Sequence, residues 1–434
     1  METPLAIGVD FGTTNTVVAL GDGGERADLV AFATPTDPTT TFRSTLSFNH
    51  DPAEPTARAV HAGPWAIEAY LDDPGETRFI QSFKSYAASP LFSETQIMGR
   101  RYTFEDMLSA FLLRLREAGG ATMNGAPGRV IVGRPVRFVG AAPDPALALR
   151  RYETAFARLG FTDILYAYEP VAAAFFFARR LDQDATVLVA DFGGGTSDFS
   201  IVRFERKNGV LESRALGQSG VGVAGDAFDY RIIDNLVSPA LGKGSSYKDF
   251  DNVLPAPNRY FANFARWDQL ALMRASRDMR DIRSLVRKSY EPEKIQHLVE
   301  LLDGNHGYHL YQSVSALKET LSAQTSARFA FNAGSISIEA DVEREQFNGW
   351  IGRELASIET AVDEALADAG LGTDQIDRVF LTGGSSFVPA VRAIFEHRFD
   401  PAKIATGAEL ESIASGLALI GGEEDLEPWC TRVR

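Results

Sequence analysis

The sequence has one cysteine, Cys430, which lies among the last five residues. A lone cysteine cannot form a disulfide within the chain, and this favours a reducing compartment. A long hydrophobic run is also lacking, because the longest candidate for a membrane span, Val171 to Ala178, is far shorter than the roughly 20 residues required. Met1 is followed almost at once by an apolar strand, without the basic and hydrophobic regions of a secretory signal. We therefore expect a cytoplasmic protein that does not enter a membrane.

Positive charge is scarce. Lysine and arginine number 43 against 58 aspartate and glutamate residues, which gives a net charge of −15. An acidic surface disfavours general binding to nucleic acids or anionic membranes, although it permits one local positive pocket for a phosphate ligand. A chain of 434 residues can bury several cores, so two lobes of roughly 200 residues are expected rather than one.

A glycine-rich hairpin is indicated at residues 186–205, TVLVADFGGGTSDFSIVRFE. An apolar run ends at Asp191 and is followed by the glycines Gly193 to Gly195, after which a strand-like pattern resumes. The turn has no side chains, so its backbone N–H groups can close around an anion. Asp191 stands where the chain leaves the sheet, and Thr196 and Asp198 stand where it returns. A hydroxyl and two carboxylates beside a phosphate suggest Mg²⁺ and an attacking water.

The same pattern occurs near the N-terminus, in LAIGVDFGTTNTVVAL around Asp10. Both copies read as an apolar strand, Asp-Phe-Gly, a turn of small residues and a returning strand. A single glycine-rich hairpin is more often an ordinary tight turn than a ligand site. Two matched copies, half a chain apart, favour phosphate binding.

Three segments together resemble the nucleotide-binding motifs of the actin-like ATPase superfamily. IGVDFGTTNTVVAL and VLVADFGGGTSDFSIV are similar to its phosphate-1 and phosphate-2 motifs, and VFLTGGSSFVPAVRAIF at 379–395 is similar to its adenosine motif. The sequences of these motifs most resemble those in the nucleotide-binding domain of the seventy-kilodalton heat-shock chaperones. The likeness covers most of residues 5–421 and weakens near 238–312. The length and the divergent middle resemble the short YegD-type bacterial members, which consist of the ATPase domain alone.

The resemblance implies an α/β fold of the actin-like ATPase type. Two lobes, each built on a ribonuclease H-like mixed sheet with helices, would enclose a nucleotide cleft. The expected parts are lobe I at 1–184 with a peripheral subdomain at about 37–101, lobe II at 185–404 with a peripheral subdomain at about 228–323, a C-terminal helix at 405–422 that returns to lobe I, and a polar tail at 423–434.

The resemblance also implies ATP or ADP as the ligand and a set of catalytic residues. Asp10 and Asp191 would hold a hydrated Mg²⁺ ion, and Glu169 would lie near that ion and the attacking water. Thr196 would help to orient the water, and Lys84 would contact the γ-phosphate, where a fixed cation stabilises developing charge. Without the resemblance, a lone lysine in a strand-like segment is usually a solvated charge, and a glutamate at a helix start is usually a cap.

Further residues are expected to contact the nucleotide. They are Gly12, Thr13, Thr14, Asn15, Gly193, Gly194, Gly195, Asp198, Gly225, Asp226, Lys318, Glu319, Ser322, Gly383, Gly384, Ser385 and Phe387. Asp226 could equally be a helix cap. The chain departs from the family where adjacent glycines are replaced by Ala224-Gly225, and where two arginines around the adenine are replaced by Glu319 and Phe387. We therefore expect a pocket of weaker affinity and looser base preference.

Periodicity predicts further elements. Thr103 to Asp106 resembles a capping box and opens a helix that ends near Gly119. Residues 22–101 are expected to be irregular because prolines interrupt them, with Lys84 in a strand-like segment. The other expected elements are strands at 129–136 and 164–168 and helices at 146–159, from 169, at 310–322, at 343–369 as one long helix, and at 408–421.

The middle of the chain, residues 238–312, is less distinctive. It contains a locally basic stretch from Arg274 to Arg287 and an aromatic cluster made of Tyr247, Phe250, Tyr260, Phe261, Phe264 and Trp267. Such aromatics usually form the core of a small subdomain, and alternating charges usually form a solvated helix face. A docking surface for a partner protein is the alternative.

The resemblance therefore implies a slow, Mg²⁺-dependent ATPase whose nucleotide-driven lobe closure regulates an unknown protein partner, and we expect it to be a monomer. Only a short polar segment follows Gly422, so we expect no peptide clamp, and chaperone activity does not follow from the resemblance. A small-molecule kinase of the same superfamily and a cytoskeletal filament ATPase remain as alternatives. A protein kinase is excluded because the His-Arg-Asp catalytic loop and the Val-Ala-Ile-Lys strand are both missing.

Overall fold

The structure is a computed structural model that describes most of the chain. The described residues are 6–23, 26–34, 38–50, 58–73, 76–123, 128–140, 142–178, 183–207, 210–262, 277–304, 306–405 and 411–433. The described strands are β1 Ala6–Phe11, β2 Asn15–Gly21, β3 Ala27–Leu29, β4 Thr41–Arg43, β5 Thr45–His50, β6 Arg58–Ala62, β7 Arg78–Gln81, β8 Thr95–Ile97, β9 Arg100–Tyr102, β10 Arg129–Arg134, β11 Asp163–Tyr168, β12 Ala185–Phe192, β13 Ser197–Lys207, β14 Val210–Val221, β15 Ser246–Asp249, β16 Asn252–Pro255, β17 Ser326–Ala333, β18 Ile336–Glu343, β19 Arg378–Thr382 and β20 Ile404–Ala405.

The described helices alternate with these strands along the chain. They are α1 Pro64–Asp72, α2 Phe104–Ala118, α3 Pro145–Arg158, α4 Glu169–Ala178, α5 Gly225–Ile232, α6 Arg259–Ala262, α7 Arg277–Val286, α8 Pro292–Asp303, α9 Gly307–Ala323, α10 Arg344–Trp350, α11 Gly352–Ala369, α12 Pro389–Glu396 and α13 Ser412–Ile420.

The chain forms two compact units. The first consists of Met1–Ala224, Ser357–Ser386 and Ala393–Arg434, and the second consists of Gly225–Ala356 and Phe387–Arg392. The first unit contains the two large sheets among the described residues, and the second contains the hairpins β15–β16 and β17–β18 with helices α5 to α10. The expected lobe boundary at residue 184 stays a prediction.

The first large sheet has the strand order β11-β10-β1-β2-β3, with β4 also paired to β2. Its central strand β1 pairs antiparallel with β2 and parallel with β10, and β10 pairs parallel with β11. β1 and β10 are almost continuous runs of buried residues, as central strands covered on both faces require. The predicted strands at 129–136 and 164–168 are confirmed, with ends that differ by one or two residues.

The second large sheet repeats this arrangement in the order β14-β13-β12-β19-β20. Its central strand β12 pairs antiparallel with β13 and parallel with β19, and β20 extends the parallel side. In both sheets a hairpin therefore lies on one side of the central strand and parallel strands lie on the other. The two matched sequence motifs fold as the hairpins β1–β2 and β12–β13, which confirms that prediction.

Two apolar helices pack beside the large sheets. α4 is buried along nearly its whole length, and it contacts β10 and β11 of the first sheet and β12 and β13 of the second. α13 contacts α4 and lies so close to β1 that a Cβ atom at Gly8 would be 2.3 Å from the carbonyl oxygen of Ala414. The N-terminus of α4, where Glu169 lies, is therefore fixed by the core of the first unit. Among the described helices, none is both long and apolar enough to cross a bilayer.

The capping box that opens α2 is confirmed. The side chain of Thr103 accepts from the N–H of Asp106 at 3.2 Å, and the carboxylate of Asp106 accepts from the N–H of Thr103 at 2.9 Å. The predicted helices at 146–159 and 310–322 are confirmed as α3 and α9, and the last predicted helix is described as α13. The start of the predicted range 408–421, including Leu410, lies outside the described residues.

Some of the predicted local structure is wrong. Residues 22–101 are more regular than expected, because β5, β6 and β7 form an antiparallel sheet and Pro64 is the first residue of α1, where proline is tolerated. Lys84 lies in the 3₁₀ turn Phe83–Tyr86 rather than in a strand. The single helix predicted at 343–369 is divided at Ile351 into α10 and α11, and glycines on both sides of the break weaken helix formation there.

The aromatic cluster of the middle region is only partly a core. Tyr260 and Phe261 are buried, as predicted, whereas 89 % of Phe250 is exposed at the tip of the β15–β16 hairpin. Phe264, Trp267 and Arg274 lie outside the described residues. In its described part, the charged stretch that follows is confirmed as a solvated helix face, because the arginines of α7 are exposed while Met279, Ile282 and Leu285 are buried.

The segment after α13 returns to the first large sheet. Tyr166 of β11 and Thr431 exchange backbone hydrogen bonds of 2.9 and 2.8 Å. The ring of Trp429 packs on Phe175 of α4 with 4.5 Å between centroids. Burial raises the pKa of the neighbouring Cys430 thiol to about 12, so this thiol is unreactive.

Candidate active site

Two turns, each closed by the same kind of backbone hydrogen bond, follow the central strands of the large sheets. The N–H of Gly12 donates to the carbonyl oxygen of Asn15 at 3.0 Å, and the N–H of Gly193 donates to that of Thr196 at 2.9 Å. A Cβ atom at Gly12 would lie 2.3 Å from the Asn15 oxygen, so this turn requires glycine. Each turn comes directly after the Asp-Phe pair that ends its strand.

The two turns lie next to each other in the first unit. A Cβ atom at Gly195 would be 3.7 Å from the hydroxyl oxygen of Thr13, which is ordinary van der Waals contact. The residues of the turns are partly buried or exposed, so their backbone groups are accessible. Short turns with free N–H groups are anion-binding structures. The structure therefore brings the two predicted phosphate loops side by side, with residues Gly12, Thr13, Thr14 and Asn15 in one and Gly193, Gly194, Gly195 and Thr196 in the other.

The ammonium group of Lys84 lies 2.8 Å from the carboxylate of Glu169. Both side chains are buried, with exposed fractions of 10 % and 6 %. Burial lowers the pKa of Lys84, but the charges of Glu169, Tyr152 and Asp10 together with the hydrogen bond to Glu169 outweigh this, and the net effect is a raised pKa. Lys84 is therefore a fixed cation in the interior, and a fixed cation stabilises negative charge without reorganisation.

Three aspartates lie in the same electrostatic environment. Burial, reinforced by the charge of Glu169, raises the pKa of Asp10 to about 7. Burial and Glu169 likewise raise the pKa of Asp198 to about 7. The pKa of Asp191 is also well above its ordinary value, because of burial and then the charges of Glu169 and Asp10. Four carboxylates thus share one lysine, and this excess of negative charge favours a bound cation.

The acid cluster has the chemistry of a magnesium site. Carboxylate oxygens are the protein ligands that Mg²⁺ prefers, and Mg²⁺ usually keeps several of its water molecules. Among the described residues, no three acidic, histidine or cysteine side chains are grouped tightly enough to ligate one ion directly. Carboxylates such as Asp10 and Asp191 suit an ion that keeps much of its water shell.

Asp198 also has a structural partner. Its Oδ1 atom accepts hydrogen bonds from the N–H groups of Val136 at 3.0 Å and Arg137 at 3.2 Å. These two residues follow β10 of the first large sheet, whereas Asp198 belongs to β13 of the second. The carboxylate therefore ties the end of a strand in one sheet to the turn region of the other.

The family comparison agrees with this site. The sequence model described as Hsp70 protein matches residues 93–250 and 290–424, which is more than half of the chain. The chain belongs to the Hsp70 family. The predicted fold class, an α/β actin-like ATPase fold, is therefore confirmed, and Hsp70 proteins bind ATP and are ATPases. The matched residues include Glu169 and Asp191, whereas Asp10 and Lys84 precede them.

The residues expected near the adenosine of a bound nucleotide are divided between the two units. In the first unit, Gly383, Gly384 and Ser385 form a turn directly after β19, and Gly383 has a φ of 81°. In the second unit, Gly225 is buried at the start of α5 and Asp226 is partly buried in its first turn.

Three of the residues expected to contact the nucleotide lie on α9 in the second unit. The ammonium group of Lys318 is 2.7 Å from the carboxylate of Asp229, and the hydroxyl of Ser322 donates to the carbonyl oxygen of Lys318 at 2.9 Å. Glu319 is exposed on the same helix. Phe387, which also belongs to the second unit, has 54 % of its surface exposed and is thus available for stacking.

Sequence reasoning missed two neighbouring residues of α3. Tyr152 is fully buried, and its hydroxyl group has no hydrogen-bond partner among the described residues. Burial raises the pKa of this phenol, with the positive charge of Lys84 opposing the shift. Arg151 is also buried, and it binds the segment that follows Lys84. The sequence signal for a buried Arg151 is its place among the apolar positions of the helix predicted at 146–159.

Proposed function

We propose that this Hsp70-family chain is a slow, Mg²⁺-dependent ATPase, and that nucleotide-driven closure of its two expected lobes regulates a partner protein. The observation that carries the proposal is the buried ion pair of Lys84 and Glu169 within the acid cluster of Asp10 and Asp191. A cation and several acidic groups beside two anion-binding turns suit phosphoryl transfer, which depends on positioning and charge stabilisation.

Each residue of the site would have a role in ATP hydrolysis that follows from its chemistry. Asp10 and Asp191 would hold the hydrated Mg²⁺ ion, which neutralises phosphate charge when bound. The backbone N–H groups of the two turns, apart from those of Gly12 and Gly193 that close them, would bind the β- and γ-phosphates. Lys84 would stabilise negative charge on the γ-phosphate, while Glu169 and Thr196 would orient the attacking water.

We also propose that the chain is a monomeric, cytoplasmic member of the YegD-type group. The family match omits residues 251–289, and this supports a middle region that differs from the rest of the family. The lone cysteine and the net charge of −15 support a reducing compartment and a ligand other than nucleic acid.

The test is to measure ATP binding and phosphate release from the purified chain, with and without Mg²⁺. A ligand that binds only the native state at 100 times its Kd adds about 2.7 kcal/mol to the free energy of unfolding. A rise in melting temperature with Mg·ATP and slow release of phosphate would support the proposal. No thermal shift at millimolar ATP would contradict it. ADP release that depends on an added hydroxyl acceptor would instead indicate a kinase, and pelleting that depends on ATP would indicate a filament.

A further inference from the structure

We propose that Arg151 is a positioning residue for Lys84. It would hold the segment that carries the lysine, so that the ammonium group stays beside Glu169 and faces the γ-phosphate. The inference rests on the proposed function, in which Lys84 acts on the transferring phosphoryl group. Arg151 itself would not touch the nucleotide.

The local structure around Lys84 is too short to fix the lysine by itself. Lys84 lies in a 3₁₀ turn of four residues, Phe83–Tyr86, and such turns have poorer hydrogen-bond geometry than α-helices. Ser82, which comes just before the turn, has a φ of 52°, and this value is unfavourable for a residue with a side chain. Backbone strain of this kind persists only when surrounding contacts impose it.

Arg151 contacts the last residue of the turn and the segment that follows it. Its guanidinium group donates to four backbone carbonyl groups, those of Tyr86 at 2.9 Å, Ala87 at 2.8 Å and Ser89 at 3.3 Å from Nη1, and that of Phe92 from Nη2. Only 6 % of Arg151 is exposed, so these bonds form away from bulk water. Buried carbonyl groups outside regular structure need such donors. One side chain therefore binds the chain at four points between residue 86 and residue 92.

The helix that carries Arg151 is itself well anchored. α3 is capped by Asp144, whose carboxylate accepts from the N–H of Leu147 at 3.0 Å. The N–H of Asp144 donates to the carbonyl oxygen of Ala88 at 2.8 Å, so the start of α3 also binds the segment after Lys84. Glu105 of α2 lies 3.8 Å from the Nε atom of Arg151 and helps to orient the guanidinium group.

Lysine cannot replace this arginine. A guanidinium group offers five donors in a planar fork, whereas an ammonium group offers three donors at one point. Arg151→Lys keeps the positive charge but cannot reach all four carbonyl groups. The segment would then shift, and a displacement of about 1 Å near a reacting group can lower the rate by about a hundredfold.

The experiment compares Arg151→Lys with Arg150→Lys on the same helix. Arg150 is an exposed neighbour, with 55 % of its side chain accessible, and is the matched control. We expect Arg151→Lys to lower kcat by about 10- to 100-fold while the Kd for Mg·ATP changes less than about twofold. Arg150→Lys should keep the kcat of the wild type.

A second measurement separates positioning from a general loss of structure. If Arg151 acts through Lys84, then Arg151→Lys should cause no further loss of single-turnover rate in a Lys84→Ala background. An equal loss in both backgrounds would overturn the inference, and so would an unchanged kcat in Arg151→Lys. If Arg151→Lys does not fold, Glu105→Gln can replace it in the test, because it weakens only the contact that orients Arg151. The inference then requires Glu105→Gln to lower kcat several-fold on its own and to cause no further loss of rate in a Lys84→Ala background.

Failure of the proposed function has a different result. If the wild type releases no phosphate from Mg·ATP, both the proposed function and the role of Arg151 are wrong. If Lys84→Ala loses turnover and Arg151→Lys retains it, only the role of Arg151 is wrong.

Discussion

Lys84 and Glu169 are 85 positions apart in the sequence, yet Lys84 Nζ lies 2.8 Å from Glu169 Oε1 in the interior of the first unit. A buried ion pair is weak support for stability, because removing two charges from water costs about as much as their attraction returns. A buried pair next to three aspartates with raised pKa values is instead typical of a functional site.

The first prediction concerns Lys84. Lys84→Ala should lower the rate of ATP hydrolysis by about 10² or more while ATP is still bound, because the lysine acts on charge that develops in the transition state. Single-turnover phosphate release and calorimetric titration measure the two quantities. Lys288→Ala removes a surface lysine, with 46 % of its side chain exposed, and should change neither. Equal losses of binding and rate in Lys84→Ala would make Lys84 a structural residue.

The second prediction concerns pH. Asp10 and Asp198 have pKa values of about 7 in the folded chain, against about 3.9 for an unfolded aspartate. Between these values the native state binds more protons than the unfolded state, so the free energy of unfolding falls as pH rises. Without ligand, the melting temperature should fall between about pH 4 and pH 7, and less steeply in Asp198→Asn. A wild-type melting temperature that is flat over this range would contradict the assignment.

The third prediction follows from the same pKa values. Bound Mg²⁺ favours ionised carboxylates, so binding of Mg·ATP near pH 7 should release protons. Calorimetry in two buffers with different ionisation enthalpies measures this release as a difference in apparent binding enthalpy. Asp10→Asn should reduce it. Equal enthalpies in both buffers for the wild type would show that the acid cluster does not take part in binding.

The fourth prediction concerns the first turn. Gly12→Ala places a Cβ atom 2.3 Å from the backbone oxygen of Asn15, which cannot move away without opening the turn. We expect the affinity for Mg·ATP to fall by about tenfold or more, which corresponds to about 1.4 kcal/mol. Gly349→Ala is the control, because nothing lies within 4 Å of a Cβ atom there. Wild-type affinity in Gly12→Ala would mean that the turn does not bind phosphate.

The parts of the fold that could be predicted are those encoded locally. The hairpins β1–β2 and β12–β13 combine apolar strands with small-residue turns, and both signals lie within a few neighbouring residues. The β17–β18 hairpin has a similar local signal, the alternation around Phe329 and Phe331, but is not among the elements predicted from the sequence. The division of the long helix at Ile351 was harder to foresee, because the apolar stripe continues through it.

The candidate site was less predictable because its contacts are distant in sequence. The resemblance pointed to Lys84, but the local pattern suggested a strand where the chain forms a 3₁₀ turn. The contacts that hold the next residues come from Arg151, which is 65 positions from Tyr86. No local propensity encodes such a contact, since tertiary interactions override weak preferences in short segments.

The last prediction concerns the adenine, where the sequence departs most from the family it resembles. An arginine over a base supplies a cation–π contact of about 0.5 to 2 kcal/mol, and Glu319 and Phe387 stand where two such arginines are expected. In the second unit Glu319 is exposed, and Phe387 has 54 % of its surface accessible. An exposed phenylalanine can stack on a base with about 1 to 3 kcal/mol and little preference between bases.

Phe387→Ala should therefore weaken binding of both ATP and GTP, by about tenfold for each 1.4 kcal/mol of stacking that is lost. Glu319→Arg should strengthen ATP binding, because it restores a cation in place of a negative charge. Phe250→Ala removes another phenylalanine of the second unit, 89 % exposed at a hairpin tip, and should leave both affinities unchanged. If calorimetry shows that Phe387→Ala also leaves them unchanged, then Phe387 points away from the base and the alignment of the third motif is misplaced. A residue other than Phe387 would then have to contact the base.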